Sequence, residues 1–188
     1  MCGKYRCLDE TNEELRDLAE RLKGKLSPAE FDSVSLFEIV PSQKSIAAAM
    51  NGKKKICTYT ILTWGFPGPK NRLVINARSE TAFSSFFFRD SLPCVLPASA
   101  YYETDRSTGR KYMFTCSEGT FYLAGLHKVI DGTDRFVILT EEAAFPQSRI
   151  HDRQPVIFDY QNAKMWCAAK DPSTFLKYSI QQRAITEI

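Results

Sequence analysis

From residue 34 to residue 158 the chain is a succession of short runs rich in Val, Ile, Thr, Tyr and Phe, broken at close intervals by turn signals. The runs cover 34–40, 56–64, 73–76, 94–102, 111–116, 120–130, 135–140 and 155–158, and β-branched and aromatic residues pack best on a pleated surface. Asn51-Gly52, Gly65-Phe66-Pro67-Gly68-Pro69, Ser107-Thr108-Gly109 and Asp131-Gly132 separate them. Helical signals are fewer. Thr11-Asn12-Glu13-Glu14 reads as a capping box ahead of Leu15, Leu18, Ala19 and Leu22 on one face, with Gly24 as the stop, which predicts a helix over 12–23. The stretch 79–90, with Phe83, Phe86, Phe87 and Phe88, reads as a second helix, and 159–169 and 173–178 as two short terminal ones. The pattern is strand-dominated α+β with helices set to one side. A chain of 188 residues with 44% hydrophobic content suits a single domain spanning 1–188.

Composition excludes several function classes. The amino end has no apolar h-region and no apolar run reaches the ~18 residues a membrane span needs, so a cytoplasmic protein is expected. Six cysteines, Cys2, Cys7, Cys57, Cys94, Cys116 and Cys167, form no C-x-x-C pair, and only His127 and His151 could join them; neither a metal nor a cofactor is expected. Cys57, Cys94 and Cys116 fall in apolar runs and read as small core residues. The net charge of +3 permits a polyanionic partner without requiring one. Lys53-Lys54-Lys55, beside Asn51-Gly52, reads as a solvated turn.

Chemistry concentrates in four places. Removal of the initiator Met1 would leave Cys2 with its thiol and α-amine on neighbouring atoms, a 1,2-aminothiol that captures an aldehyde as a five-membered thiazolidine. Asn76 and Arg78 leave a strand just before a helix start, with Ser79 readable as the cap. Glu103 ends the aromatic strand Ala100-Tyr101-Tyr102; burial there would raise its pKa toward the range of a general acid. His151 sits among Arg149, Asp152 and Arg153, company that is costly to bury and that favours proton transfer, whereas His127 reads as a strand residue. A nucleophile, an amide donor, a carboxyl acid and an imidazole are the parts needed to add an amine to a carbonyl.

These residues resemble the SRAP (SOS response-associated peptidase) family, whose members process abasic sites in single-stranded DNA. The likeness rests on Met1-Cys2-Gly3-Lys4, Pro41, Trp64-Gly65, the string INARSET over 75–81, Pro97-Ala98 with Tyr102-Glu103, Ala124-Gly125-Leu126, Ile138-Leu139-Thr140 and IHDRQPV over 150–156. It covers the chain from Met1 to about Asp159. The resemblance implies a mostly antiparallel, barrel-like sheet core with flanking helices, and a monomer. It implies that Cys2 cross-links to the ring-opened abasic aldehyde, that Asn76 holds the sugar or adduct, that Glu103 acts as acid, and that His151 assists proton transfer and reversal of the link. Lys4, Arg78 and Arg153 would meet phosphates, while Pro41, Trp64 and Phe66 would stack on or wedge against bases beside the lesion.

The chain departs from the family pattern in places. Lys4 stands where Arg is usual, keeping charge but losing bidentate geometry, and Glu38 stands where many members carry Asn. Thr104 replaces the usual Trp after Glu103. Two other readings use the same residues: an amino-terminal-nucleophile cysteine peptidase, with Cys2 as thiolate and His151 as base, and a non-catalytic single-strand binding module. The first predicts peptide turnover without DNA; the second predicts salt-sensitive binding and no covalent product.

Overall fold

In a computed structural model, residues 2–7, 13–24, 26–51, 56–117, 119–181 and 183–188 are described. The amino-terminal part supplies β1 (Lys4–Arg6), α1 (Glu13–Lys23), α2 (Pro28–Asp32), β2 (Glu38–Ile39), β3 (Lys44–Asn51) and β4 (Ile56–Trp64). A small ribbon, β5 (Phe66–Pro67) with β6 (Leu73–Val74), leads to β7 (Asn76–Arg78), α3 (Ser79–Ala82), β8 (Leu92–Ala98) and β9 (Ala100–Thr104). Then come β10 (Lys111–Thr115), β11 (Phe121–Ile130), β12 (Thr133–Glu142), β13 (Arg153–Pro155), β14 (Ile157–Phe158), α4 (Tyr160–Ala168) and β15 (Ala184–Glu187).

Five strands close a ring. β12 pairs with β4, β4 with β3, β3 with β8, β8 with β11, and β11 returns to β12; only the β12–β4 seam is parallel. Closure leaves the ring without an open edge, and Ile46, Leu62, Leu96, Leu123, Phe136 and Ile138 are buried in the core cluster it shares with Cys2 and Tyr5. A second sheet, in the order β15-β10-β9-β1-β2, carries the amino-terminal strand against β9, with Lys4 opposite Tyr102 and Tyr5 opposite Tyr101. On the other side α4 covers the barrel, where Trp166 is buried and donates to Cys94 O at 3.0 Å. The α+β, barrel-like, mostly antiparallel architecture expected from the resemblance is the one observed.

Several boundaries differ from expectation, each for a physical reason. The predicted strand 34–40 is only a Val34 bridge and the two residues of β2; the full strand lies later, at Lys44–Asn51. Its Ser-Ile-Ala-Ala-Ala sequence has weak β propensity, yet Ile46, Ala47, Ala48 and Ala49 are all buried, because small side chains suit a central strand of a narrow barrel. The run 94–102 is two strands divided at Ser99, one in each sheet. The helix expected over 79–90 is a single turn, α3, followed by a 3-10 turn at Phe86–Phe88 whose Phe87 N–H is capped by the Ser85 hydroxyl. Helix α1 forms as predicted, with Ala19 and Leu22 buried; Thr11, Asn12 and the side chains of Leu15 and Leu18 lie outside the described residues, as do Gly52 and the lysine run. An unforeseen capping box opens α2, where Ser27 and Glu30 bond reciprocally. No helix among the described residues is long and apolar enough to cross a membrane.

Gly65 has a structural explanation. It turns the chain from β4 into β5 at φ 108°, and a Cβ there would run into the Leu73 side chain. Gly65→Ala should therefore cost about 1–3 kcal/mol through left-handed strain and overpacking, read as a shift in the denaturation midpoint.

Candidate functional site

The site lies where β1, β7, β9 and the segment before β13 approach one another. Cys2 precedes β1 and is fully buried, its thiol donating weakly to Lys4 O at 3.7 Å. β7 pairs in parallel with β12, Asn76 opposite Ile138, which fixes the asparagine. Its Nδ2 donates to Cys2 O at 2.9 Å, while its Oδ1 is buried and finds no partner among the described residues. The amide thus holds the Cys2 backbone and keeps an acceptor in reserve.

Glu103 and His151 face a cleft of about 400 Å³ lined also by Gly3, Lys4, Tyr102, Thr104, Arg106 and Lys111. Glu103 is 8% exposed, and burial raises its pKa above the ordinary carboxyl value, so a proton is held to higher pH than in water. Burial also pushes the Cys2 thiol up strongly, and a charged Glu103 pushes it further, while the Arg183 guanidinium pulls the other way. A protonated Glu103 therefore eases ionisation of Cys2. His151 Nδ1 accepts the Arg153 N–H at 3.0 Å and lies 2.8 Å from Asp152 Oδ1. One nitrogen cannot accept and donate at once. Burial lowers the His151 pKa, which favours the neutral ring with its proton on Nε2; the Asp152 contact becomes an ion pair only on protonation.

Four residues expected at a DNA surface are engaged elsewhere. Trp64 is fully buried, stacked on Phe136 at 5.8 Å, tilted on Tyr5 at 5.4 Å, and donates from Nε1 to Ile75 O at 2.9 Å; it cannot wedge against a base without opening the core. Phe66 is likewise buried, against Phe87 and Phe88. Arg153 gives both terminal nitrogens to Glu80, at 2.7 and 2.8 Å, and is 9% exposed, so it joins β13 to α3. Lys4 pairs with Glu38 at 2.7 Å, and the bond lowers the Glu38 pKa. The unusual lysine and the unusual glutamate thus neutralise each other. Arg78 is exposed and Pro41 half-exposed, with Phe37 and Val40 exposed nearby. His127 is a strand residue, as expected, its Nδ1 3.0 Å from Asp134.

Sequence reasoning missed Arg106 and Lys111. They flank the Ser107-Thr108-Gly109 turn, whose hairpin pairs Lys111 with Thr104 and returns the chain beside Glu103. The turn was visible; its cations follow only from the register. Arg183 was missed because β15 has no apolar pattern of its own, yet its side chain is wholly buried and bonds Tyr101, Pro155 and Ile180. Among the described residues no cluster of His, Cys, Asp and Glu could hold a metal ion.

A closed barrel with a buried amino-terminal thiol, an asparagine on its backbone and a carboxyl–imidazole cleft beside it defines a thiol site built across the join of two sheets. The chain belongs to the SOS response associated peptidase (SRAP) family, whose family model matches residues 1–186. It is 27% identical over 189 residues to the abasic site processing protein YobE of Bacillus subtilis, covering 91% of this chain and 84% of that one. It is 28% identical over 196 residues to YoaM, of the same description and organism, covering 92% and 82%. Two solved structures share the fold: a phage-related protein from Bordetella bronchiseptica, with TM-score 0.73, 19% identity and coverage of 100% and 94%, and a protein from Bacteroides thetaiotaomicron, with TM-score 0.71, 14% identity and coverage of 100% and 92%.

Proposed function

We propose that this chain processes abasic sites in single-stranded DNA by capturing the sugar aldehyde on Cys2, as a monomer and without metal or cofactor. The supporting observation is the Asn76–Cys2 hydrogen bond, which ties residues 74 positions apart in sequence into one site beside the Glu103–His151 cleft. The relatives' description as abasic site processing proteins supports the same substrate.

The chemistry follows from the groups present. Loss of Met1 frees the Cys2 amine. Protonated Glu103 gives its proton to the ring oxygen of the closed abasic sugar as the bond from C1 to that oxygen breaks, and the anomeric hydroxyl releases its proton to solvent, which exposes the aldehyde otherwise held as a minor form. The amine adds to that carbon and a water leaves, giving an imine. The Cys2 thiol then adds to the imine carbon, its proton passing to the nitrogen through neutral His151, and a thiazolidine closes. Asn76 holds the cysteine backbone in register and offers Oδ1 to the sugar. Holding amine, thiol and aldehyde together supplies the effective concentration that a minor open-chain form lacks. Reversal runs the same proton transfers backward through Glu103 and His151.

Mixing the protein lacking Met1 with an abasic oligonucleotide should yield an adduct that survives denaturation, and Cys2→Ala should abolish it. An undiminished yield from that variant refutes the proposal, and turnover of peptides without DNA would favour the peptidase reading. Arg78, Arg106 and Lys111 are the exposed cations proposed to meet phosphates. Glu38→Gln would release Lys4 to join them. Binding to a single strand should then tighten, and the slope of log affinity against log salt should steepen by about 0.7, the increment for one added phosphate contact.

A further inference from the structure

A second thiol site lies away from Cys2, where α4 crosses β4. Cys57, on β4, is half-buried at the wall of a small cavity of about 110 Å³ lined also by Tyr59, Tyr122, Tyr160 and Lys164. Cys167, on α4, is 1% exposed and donates to Ala48 O at 3.4 Å; Ala48 and Cys57 line the same cavity, and Cys57 packs against the cluster that holds Cys167. Two thiols from different elements thus lie in one packed cluster, one open to the cavity and one sealed behind it. Position sorts their chemistry. Interaction with Cys167 first, and with Lys164 after it, holds the Cys57 thiol below its usual pKa, whereas the interaction with Cys57 and burial push Cys167 up. Cys94, the other thiol of this region, is fully buried and raised by burial.

We propose that Cys57 is a hydroperoxide-reactive thiol and Cys167 its resolving partner, so that oxidation joins β4 to α4 by a disulfide. The Cys57 thiolate attacks the terminal oxygen of a hydroperoxide; the O–O bond breaks, an S–O bond forms, and two electrons pass from sulfur to the leaving oxygen, which takes up a proton. The resulting sulfenic acid meets the Cys167 thiol of the same cluster. The S–S bond forms, the S–O bond breaks, and water departs with the Cys167 proton. Overall two thiols and one peroxide give one disulfide and two products bearing O–H. The cavity, about 110 Å³ and walled by Tyr59, Tyr122 and Tyr160, has room for a small peroxide beside Cys57. The site shares no residue with the Cys2 cleft.

The test is peroxide treatment of the full chain with hydrogen peroxide at limiting dose, followed by intact mass and peptide mapping without reduction. The expected result is a loss of two hydrogens and a cross-linked pair of peptides carrying Cys57 and Cys167. In Cys167→Ser, a dimedone label should instead accumulate at Cys57 as the trapped sulfenic acid. The wild-type map stands even if that buried variant folds poorly. A disulfide joining any other pair, oxidation of Cys57 no faster than that of Cys116, or both thiols intact under a dose that oxidises free cysteine overturns the proposal.

Discussion

Trp64→Ala should cost about 3–5 kcal/mol of stability, the range for truncating a fully buried aromatic. The indole is fully buried between Tyr5 and Phe136 and donates to Ile75 O, which also accepts the Ile138 N–H at 3.1 Å, so its removal leaves a cavity, two aromatic faces without a neighbour and a carbonyl with one donor fewer. Ile75 immediately precedes Asn76, so the same bond steadies the strand that carries the amide to Cys2. Trp64→Phe keeps an aromatic stack but loses one of the two donors to Ile75 O, and the lost bond should cost about 0.5–1.5 kcal/mol. Chemical denaturation reads both. A Trp64→Ala protein of unchanged midpoint but weakened DNA binding would reverse the assignment and return the residue to the interface.

Glu103→Gln should slow adduct formation by about 10²–10⁴, the usual contribution of a positioned general acid. Glutamine keeps the shape and burial of the side chain but carries no transferable proton. The pH dependence separates this from a packing effect. Because burial raises the folded pKa of Glu103, the protonated acid is present below that raised value, and the wild-type rate should fall as pH rises through it. The same linkage makes the carboxyl's contribution to stability greatest below the unfolded value and lost as pH rises through the folded one. Glu103→Gln should flatten both curves over that interval. A variant that keeps the wild-type rate, or loses it without flattening the profile, contradicts the assignment of Glu103 as the acid.

The strands were legible where sequence and environment agree. β10 and β12 are rich in aromatic and β-branched residues, Phe121, Tyr122, Val129 and Ile130 mark the two ends of β11, and the Asp131-Gly132 turn fixes the β11–β12 hairpin. β3 was not legible, because alanines chosen for a tight barrel carry no strand propensity. β1 and β15 were not, because three or four residues hold no periodicity and gain their place only from β9 and β10. The chemical residues of the site stood out by type and motif. What the sequence could not separate was burial: Trp64, Phe66 and Arg153 read equally well as surface contacts or as core, and only packing against Phe136, Phe87 and Glu80 decides between them. Charge pairing was equally hidden. Lys4 and Glu38 look like two separate departures in sequence and are one ion pair in space.

Cys2 itself is proposed to bond the DNA aldehyde. Protein with Met1 removed should be reacted, without any reductant, with a single strand holding one abasic site, then digested and sequenced by tandem mass spectrometry. The sugar remnant should map to the amino-terminal Cys2 peptide with both the amine and the thiol consumed. A remnant on an internal lysine, or an adduct seen only after borohydride reduction, would contradict it.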